Sequence, residues 1–121
     1  MSVSSEPICK GMLFVPINPV GVYHLDYGIE DDENILRWDL TPEENTSLWP
    51  VYNKFNDRFH LLVDLCEEET IPSADVRTAL DILVPFEEDP ASTEFLRSGL
   101  RKLRSALEAA VRYDASVDLC L

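Results

Sequence analysis

"VYHLDYGIEDDENILRWDL", residues 22–40, decides how the N-terminal third of the chain is read. Its two flanks alternate apolar and polar residues, the period of a half-buried strand. Tyr23, Leu25 and Tyr27 project to one side of the first flank, and Leu36, Trp38 and Leu40 to one side of the second. An antiparallel hairpin with both rows facing a core pairs Tyr27 with Leu36, Leu25 with Trp38, and Tyr23 with Leu40. The same register sets Asp26 across from Arg37 and His24 across from Asp39, pairs worth about 0.2–1 kcal/mol each. A slip of one residue would turn the aromatics outward. Gly28 and Asn34 suit the connection as turn formers. Between them stand Glu30, Asp31, Asp32 and Glu33, four adjacent acids that repel one another where a two-residue turn would have closed the hairpin more tightly. That excess of negative charge marks a candidate contact surface.

Upstream, "KGMLFVPI" is a short apolar run ended by "NPVG", read as a turn. Downstream the period becomes helical. Thr41, Pro42 and Glu44 have the arrangement of an N-cap, a proline at the first helical position and a capping-box partner, which predicts a brief helical turn. Ser47 is a second candidate cap and would put Pro50 in the first turn of the next helix. From there Leu48, Tyr52, Phe55, Phe59, Leu62 and Cys66 follow one helical face. Glu67, Glu68 and Glu69 then close that helix against its dipole, which local stability does not favour. A second helix carries Val76, Leu80 and Leu83 inward and exits at Glu87, Glu88 and Asp89. A third, capped by Asp89 or Ser92, carries Leu96, Leu100, Leu103, Leu107 and Ala110. The tail "SVDLCL" reads as a strand or a flexible end.

The expected fold is therefore α+β: an N-terminal antiparallel β-hairpin or small sheet over about residues 10–40, packed on three amphipathic helices at about 48–67, 73–85 and 91–114. Its 121 residues suit one globular domain, with 1–8 and 116–121 as candidate flexible ends.

Ten basic against 23 acidic side chains leave a net charge of -13, which opposes direct binding of nucleic acid or anionic membrane. No leader-like opening and no long apolar run is present, so a cytoplasmic protein is expected. Cys9, Cys66 and Cys120 are scattered and odd in number, arguing against a disulfide or metal framework. Cys66 reads as a small core residue. Residues 94–112 run against the general charge: Arg97, Arg101, Lys102, Arg104 and Arg112 face only Glu94 and Glu108. Arg97, Arg101 and Arg104 form a stripe read as an outer face making ion pairs with the acid-rich loops.

Catalysis finds little support. Neither His24 nor His60 stands in a nucleophile, Gly-rich phosphate or metal motif; an enzyme would have to use His24 with Asp26 or Asp39. No cofactor and no metal is expected. In charge, size and compartment the chain is similar to bacterial immunity proteins and antitoxin-like inhibitors, although no motif establishes a family. That similarity implies a non-catalytic binding protein that occludes a basic protein partner, a nuclease toxin or other enzyme. The contact would use Glu30, Asp31, Asp32, Glu33, Glu67, Glu68, Glu69, Glu87, Glu88 and Asp89, with Trp49 and Tyr52 as aromatic anchors. The alternative is an adaptor or subunit that forms homo- or hetero-oligomers through its helical faces, a homodimer among them.

Overall fold

Asn18 sets the course of the N-terminal third. In the computed structural model, which describes residues 10–29 and 33–121, its backbone is extended and its side chain accepts a hydrogen bond from Gly21 N at 2.8 Å, with Pro19 opening the helix behind it. A capping side chain followed by proline is a helix start, and α1 (Pro19–Asp26) results. The expected first hairpin arm is thus a helix, and "NPVG" is its beginning rather than a turn. Tyr23 and Tyr27, four residues apart, lie one above the other on its surface.

With that arm gone, the second one finds another partner. β2 (Ile35–Asp39) pairs antiparallel with β1 (Met12–Pro16), placing Leu13 opposite Trp38 and Val15 opposite Leu36. The expected partners Tyr27, Leu25 and Tyr23 are replaced, and so are the cross-strand pairs of Asp26 with Arg37 and His24 with Asp39. Arg37 instead bonds Asp39 on its own strand at 2.8 Å. The facing of the second arm is as expected: Leu36 and Trp38 pack against the core and Leu40 is buried.

The tail resolves as β4 (Val117–Cys120), inserted between β1 and β3 (Glu68–Ile71). The sheet runs β2-β1-β4-β3 with every neighbour antiparallel. Beyond β4, Leu121 is buried; its N–H donates to Glu67 O at 3.0 Å and its carbonyl accepts from Asn45 Nδ2 at 3.1 Å.

The expected brief turn at Thr41 is formed as a short helix, and the expected first long helix, 48–67, is cut short. α2 (Pro42–Ser47) begins with the capping box read from Thr41 and Glu44, both halves of which are formed. Leu48, not Ser47, caps α3 (Trp49–Phe59), with Pro50 in its first turn. The helix stops because His60 enters the left-handed region at φ 57°, and Asn56 then clamps Val63 through two hydrogen bonds of 2.6 and 2.9 Å. The apolar spacing continues past that point but the backbone does not. Leu62 is left 82% exposed. Cys66 lies in a turn at φ 65°, exposed and disulfide-bonded, which corrects both its core assignment and the expected lack of disulfides.

A 3-10 turn at Ser73–Asp75 leads into α4 (Val76–Glu88), and Thr93 caps α5 (Glu94–Tyr113). The inner face of the sheet, with Leu13, Val15, Ile71, Val117 and Leu119, buries against Leu100, Leu103, Leu107 and Ala110 of α5. Leu48, Tyr52 and Phe55 complete one side and Val76, Ala79 and Leu83 the other. Gly99 permits the close approach of α5 to α2, since a Cβ there would meet the Leu48 side chain at 3.0 Å and Glu44 O at 3.3 Å. The protein is α+β, as expected, with a different assignment of its first third.

Candidate functional site

Alternation along the strands turns a second set of residues away from the core. Cross-strand neighbours on this outer face are Asp39, Met12, Cys120 and Glu68 in one row, and Arg37, Phe14, Asp118 and Thr70 in the next. The C-terminal end of α1 lies over part of this face and contributes Leu25, with Gly28 and Ile29 following. Between helix and sheet lies a groove of about 240 Å³, whose floor includes Met12, Phe14 and Ile35 and whose border includes Glu68, Asp118, Lys10 and Arg37.

Both signs of charge border this groove, Glu68 and Asp118 beside Lys10 and Arg37. Burial pushes the Asp118 carboxyl above the usual range, and the charges of Asp26 and Glu68 push it further, against a hydrogen bond from Thr70 Oγ1 at 3.1 Å. Burial likewise raises the free Cys120 thiol to about 11, with Glu68 and Asp118 adding to the rise and Lys10 opposing it. A thiol so placed is protonated at neutral pH and is a poor nucleophile. Asp26 and Glu68, from distant parts of the sequence, thus both bear on Asp118 of the outer sheet. Among the described residues no group of three or more His, Cys, Asp or Glu is arranged to hold a metal ion.

Chemistry elsewhere separates the expected contact residues. Glu30, Asp31 and Asp32 lie outside the described residues; Glu33 is exposed in the turn entering β2. Glu68 borders the groove. Glu67 is exposed beside it in sequence, and both stand in the approach to and start of β3, not at a helix C-terminus. Glu69 is held locally, accepting from Leu62 N at 3.2 Å and Thr70 N at 3.1 Å. Glu87 receives Arg104 in a two-bond pair of 2.5 and 2.6 Å, which raises the Arg104 pKa and neutralises the carboxylate. Glu88 and Asp89 are exposed and make no ion pair among the described residues, although Asp89 caps Ala91 N at 2.9 Å. The 13 residues of α4, a helix about 20 Å long, stand between this last group and β3 along the chain.

Trp49 is 38% exposed at the first position of α3 and remains a surface residue. Tyr52 is fully buried, its hydroxyl donating to Asn45 Oδ1 at 2.8 Å, and burial raises its pKa. It cannot serve as a surface anchor, because the helical stripe that suggested it faces the core. His24 is on α1, and the strand partner of Asp39 is Met12, so the expected cross-strand pairing of His24 with Asp39 is not formed. Of the basic stripe, Arg104 makes ion pairs with Glu87 and Glu108, and Arg97 donates to the backbone carbonyl of Pro90 at 3.0 Å. Asp26 and Asp118 were not among the expected contacts. The alternation in "SVDLCL" could have found Asp118 once the tail was taken as a strand.

No helix among the described residues is long and apolar enough to cross a membrane. No protein-family model matches the sequence, and no curated protein does. Among solved structures the chain is similar to the Neisseria DNA mimic protein DMP12, at a TM-score of 0.53 and 14% identity, over 92% of this chain and 99% of that one. The likeness is one of fold. It corrects the expectation of a basic toxin or enzyme as partner, since the protein sharing this architecture is described as a mimic of DNA.

Proposed function

We propose that this chain binds a DNA-binding protein and occupies its DNA-reading surface, with carboxylates standing in for phosphates. The observation that carries this reading is the placement of Glu68 and Asp118 on the same outer sheet face at the groove border, with the charge of Asp26 on α1 also bearing on Asp118. Of the cations, Arg104 pairs with Glu87 and Glu108 and Lys102 with Glu44, away from this face; Arg37, at the groove's border, pairs with Asp39, and Lys10 borders the groove as well. Like charges held together cost the fold locally, and a cationic surface docking onto them removes that cost. Lys and Arg that meet phosphates are what a DNA-reading surface presents. The net charge of -13 supports the same partner class and disfavours direct contact with nucleic acid. The likeness in fold to a DNA mimic supports it independently. The reading involves no catalytic step; the protein acts by occupancy.

The test is competition. DNA-binding proteins of the host-cell extract, retained on immobilised duplex DNA, are challenged with the purified chain at low salt. The chain should release one or a few of them, and free duplex should displace the same proteins from the immobilised chain. Release of none, or retention on the chain that free duplex does not reduce, would remove the proposal.

A further inference from the structure

The helix that replaced the expected hairpin arm carries an apolar surface that the fold does not use. Ten large apolar side chains are conspicuously exposed among the described residues, and five of them, Val20, Val22, Tyr23, Tyr27 and Ile29, fall within one stretch of ten residues. Scattered exposed apolar residues need no explanation, but Val20, Tyr23 and Tyr27 recur at i, i+3 and i+7 and so share one side of α1 and its C-cap, and grouped exposed apolar residues mark an interaction surface. Tyr23 and Tyr27 are 55% and 69% exposed, and their rings contact each other with centroids 4.6 Å apart.

The helix beneath them is fixed in place. Asn18 Nδ2 donates to Asn34 Oδ1 at 2.7 Å, and Ile17 N donates to Asn34 O at 2.9 Å. Gly21 approaches Asn34 so closely that a Cβ would stand 2.2 Å from its carbonyl oxygen. The two rings are thus held on an anchored scaffold without being packed into it.

We infer that the Tyr23–Tyr27 pair is a docking platform for an arginine of the partner's DNA-reading surface, an assignment that rests on the function proposed above. Charge and shape both select that occupant. A guanidinium stacks its plane on an aromatic face while its N–H fork reaches a carboxylate, and Asp26 stands between the two tyrosines in sequence and acts electrostatically on Asp118. The chain makes the same kind of contact internally, with the Arg112 guanidinium 5.7 Å from the Tyr113 ring centroid. A lysine would answer the carboxylates but gain less from the rings.

The experiment uses nona-arginine and nona-lysine as probes of equal charge, titrated into the full chain at low salt while the tyrosine ring resonances are followed by NMR. The arginine peptide should shift the Tyr23 and Tyr27 resonances and bind more tightly than the lysine peptide by roughly two- to fivefold per ring. Tyr23→Ala/Tyr27→Ala, with folding checked by circular dichroism, should abolish that preference while still binding nona-lysine. Tyr23→Phe/Tyr27→Phe should keep it. Equal binding of both peptides to the parent chain, or a preference that survives the alanine variant, would overturn the platform and leave the mimic reading standing. Binding of neither peptide would overturn both.

Discussion

Glu44 is a carboxylate in a place where water does not reach. Burial would raise its pKa, but Lys102 Nζ at 2.7 Å, the Ser98 hydroxyl and Thr41 N at 2.8 Å outweigh burial and hold it at about 2. Its folded value lies below the ordinary value of 4.5, so the stability it supplies is full above that pH and is lost as pH falls toward 2. Glu44→Gln should therefore cost about 2 kcal/mol at neutral pH, read as a lower urea midpoint, and should flatten the loss of stability between pH 5 and 2. Asp118 has the opposite sign. Its folded pKa is raised, so its favourable contribution is full only at acid pH and is lost as pH rises through the folded value. Asp118→Asn, which can still accept from Thr70, should raise neutral-pH stability by up to about 1 kcal/mol and slow partner association. A gain in thermal midpoint with unchanged association would separate Asp118 from the contact surface.

Among the elements, α1 is the one whose docking depends on a single missing atom. Gly21→Ala would drive a Cβ into Asn34 O, now 2.2 Å from where it would stand, and overpacking of this kind costs about 1–3 kcal/mol. Hydrogen exchange should speed up in α1 amides while amides of β1 and β4 remain protected. Exchange rising equally throughout would mean that α1 and the sheet open together. This helix also shows where the sequence was legible and where it was not. "VYHLDY" satisfies both periods because six residues are too few to separate 2.0 from 3.6, and the deciding information was the cap at Asn18 and Pro19, outside the window. At Thr41 the cap lay at the head of its own segment and was readable. On α5 the Leu96-to-Ala110 spacing was long enough to admit one reading. The end of α3 was not readable, since the apolar spacing persists through Leu62 and Cys66 while His60 turns the backbone away. For the site, Glu68 was named from sequence; Asp118 joins it through the strand order, and Asp26 through the placement of α1.

At the scale of the whole molecule, the net charge of -13 is unevenly used. Glu87 answers Arg104, whereas Asp26 and Glu68 bear on Asp118. Association with a DNA-binding partner should slow by about tenfold or more between low and physiological ionic strength. Glu68→Gln should lower the association rate and its salt dependence, and Glu87→Gln should reduce stability with little effect on either; stopped-flow measurements across salt concentrations distinguish the two. Strand order has a kinetic consequence as well. The central pair β1 and β4 aligns Met12 with Cys120, closing a span of roughly a hundred residues, and contacts of such high order make folding slow. A nascent chain can form the β1–β2 ladder early but must wait for β4 before β3 has anything to pair with. Truncation ahead of Val117 would leave two raw strand edges facing each other across a gap, the species from which aggregation of this protein would begin.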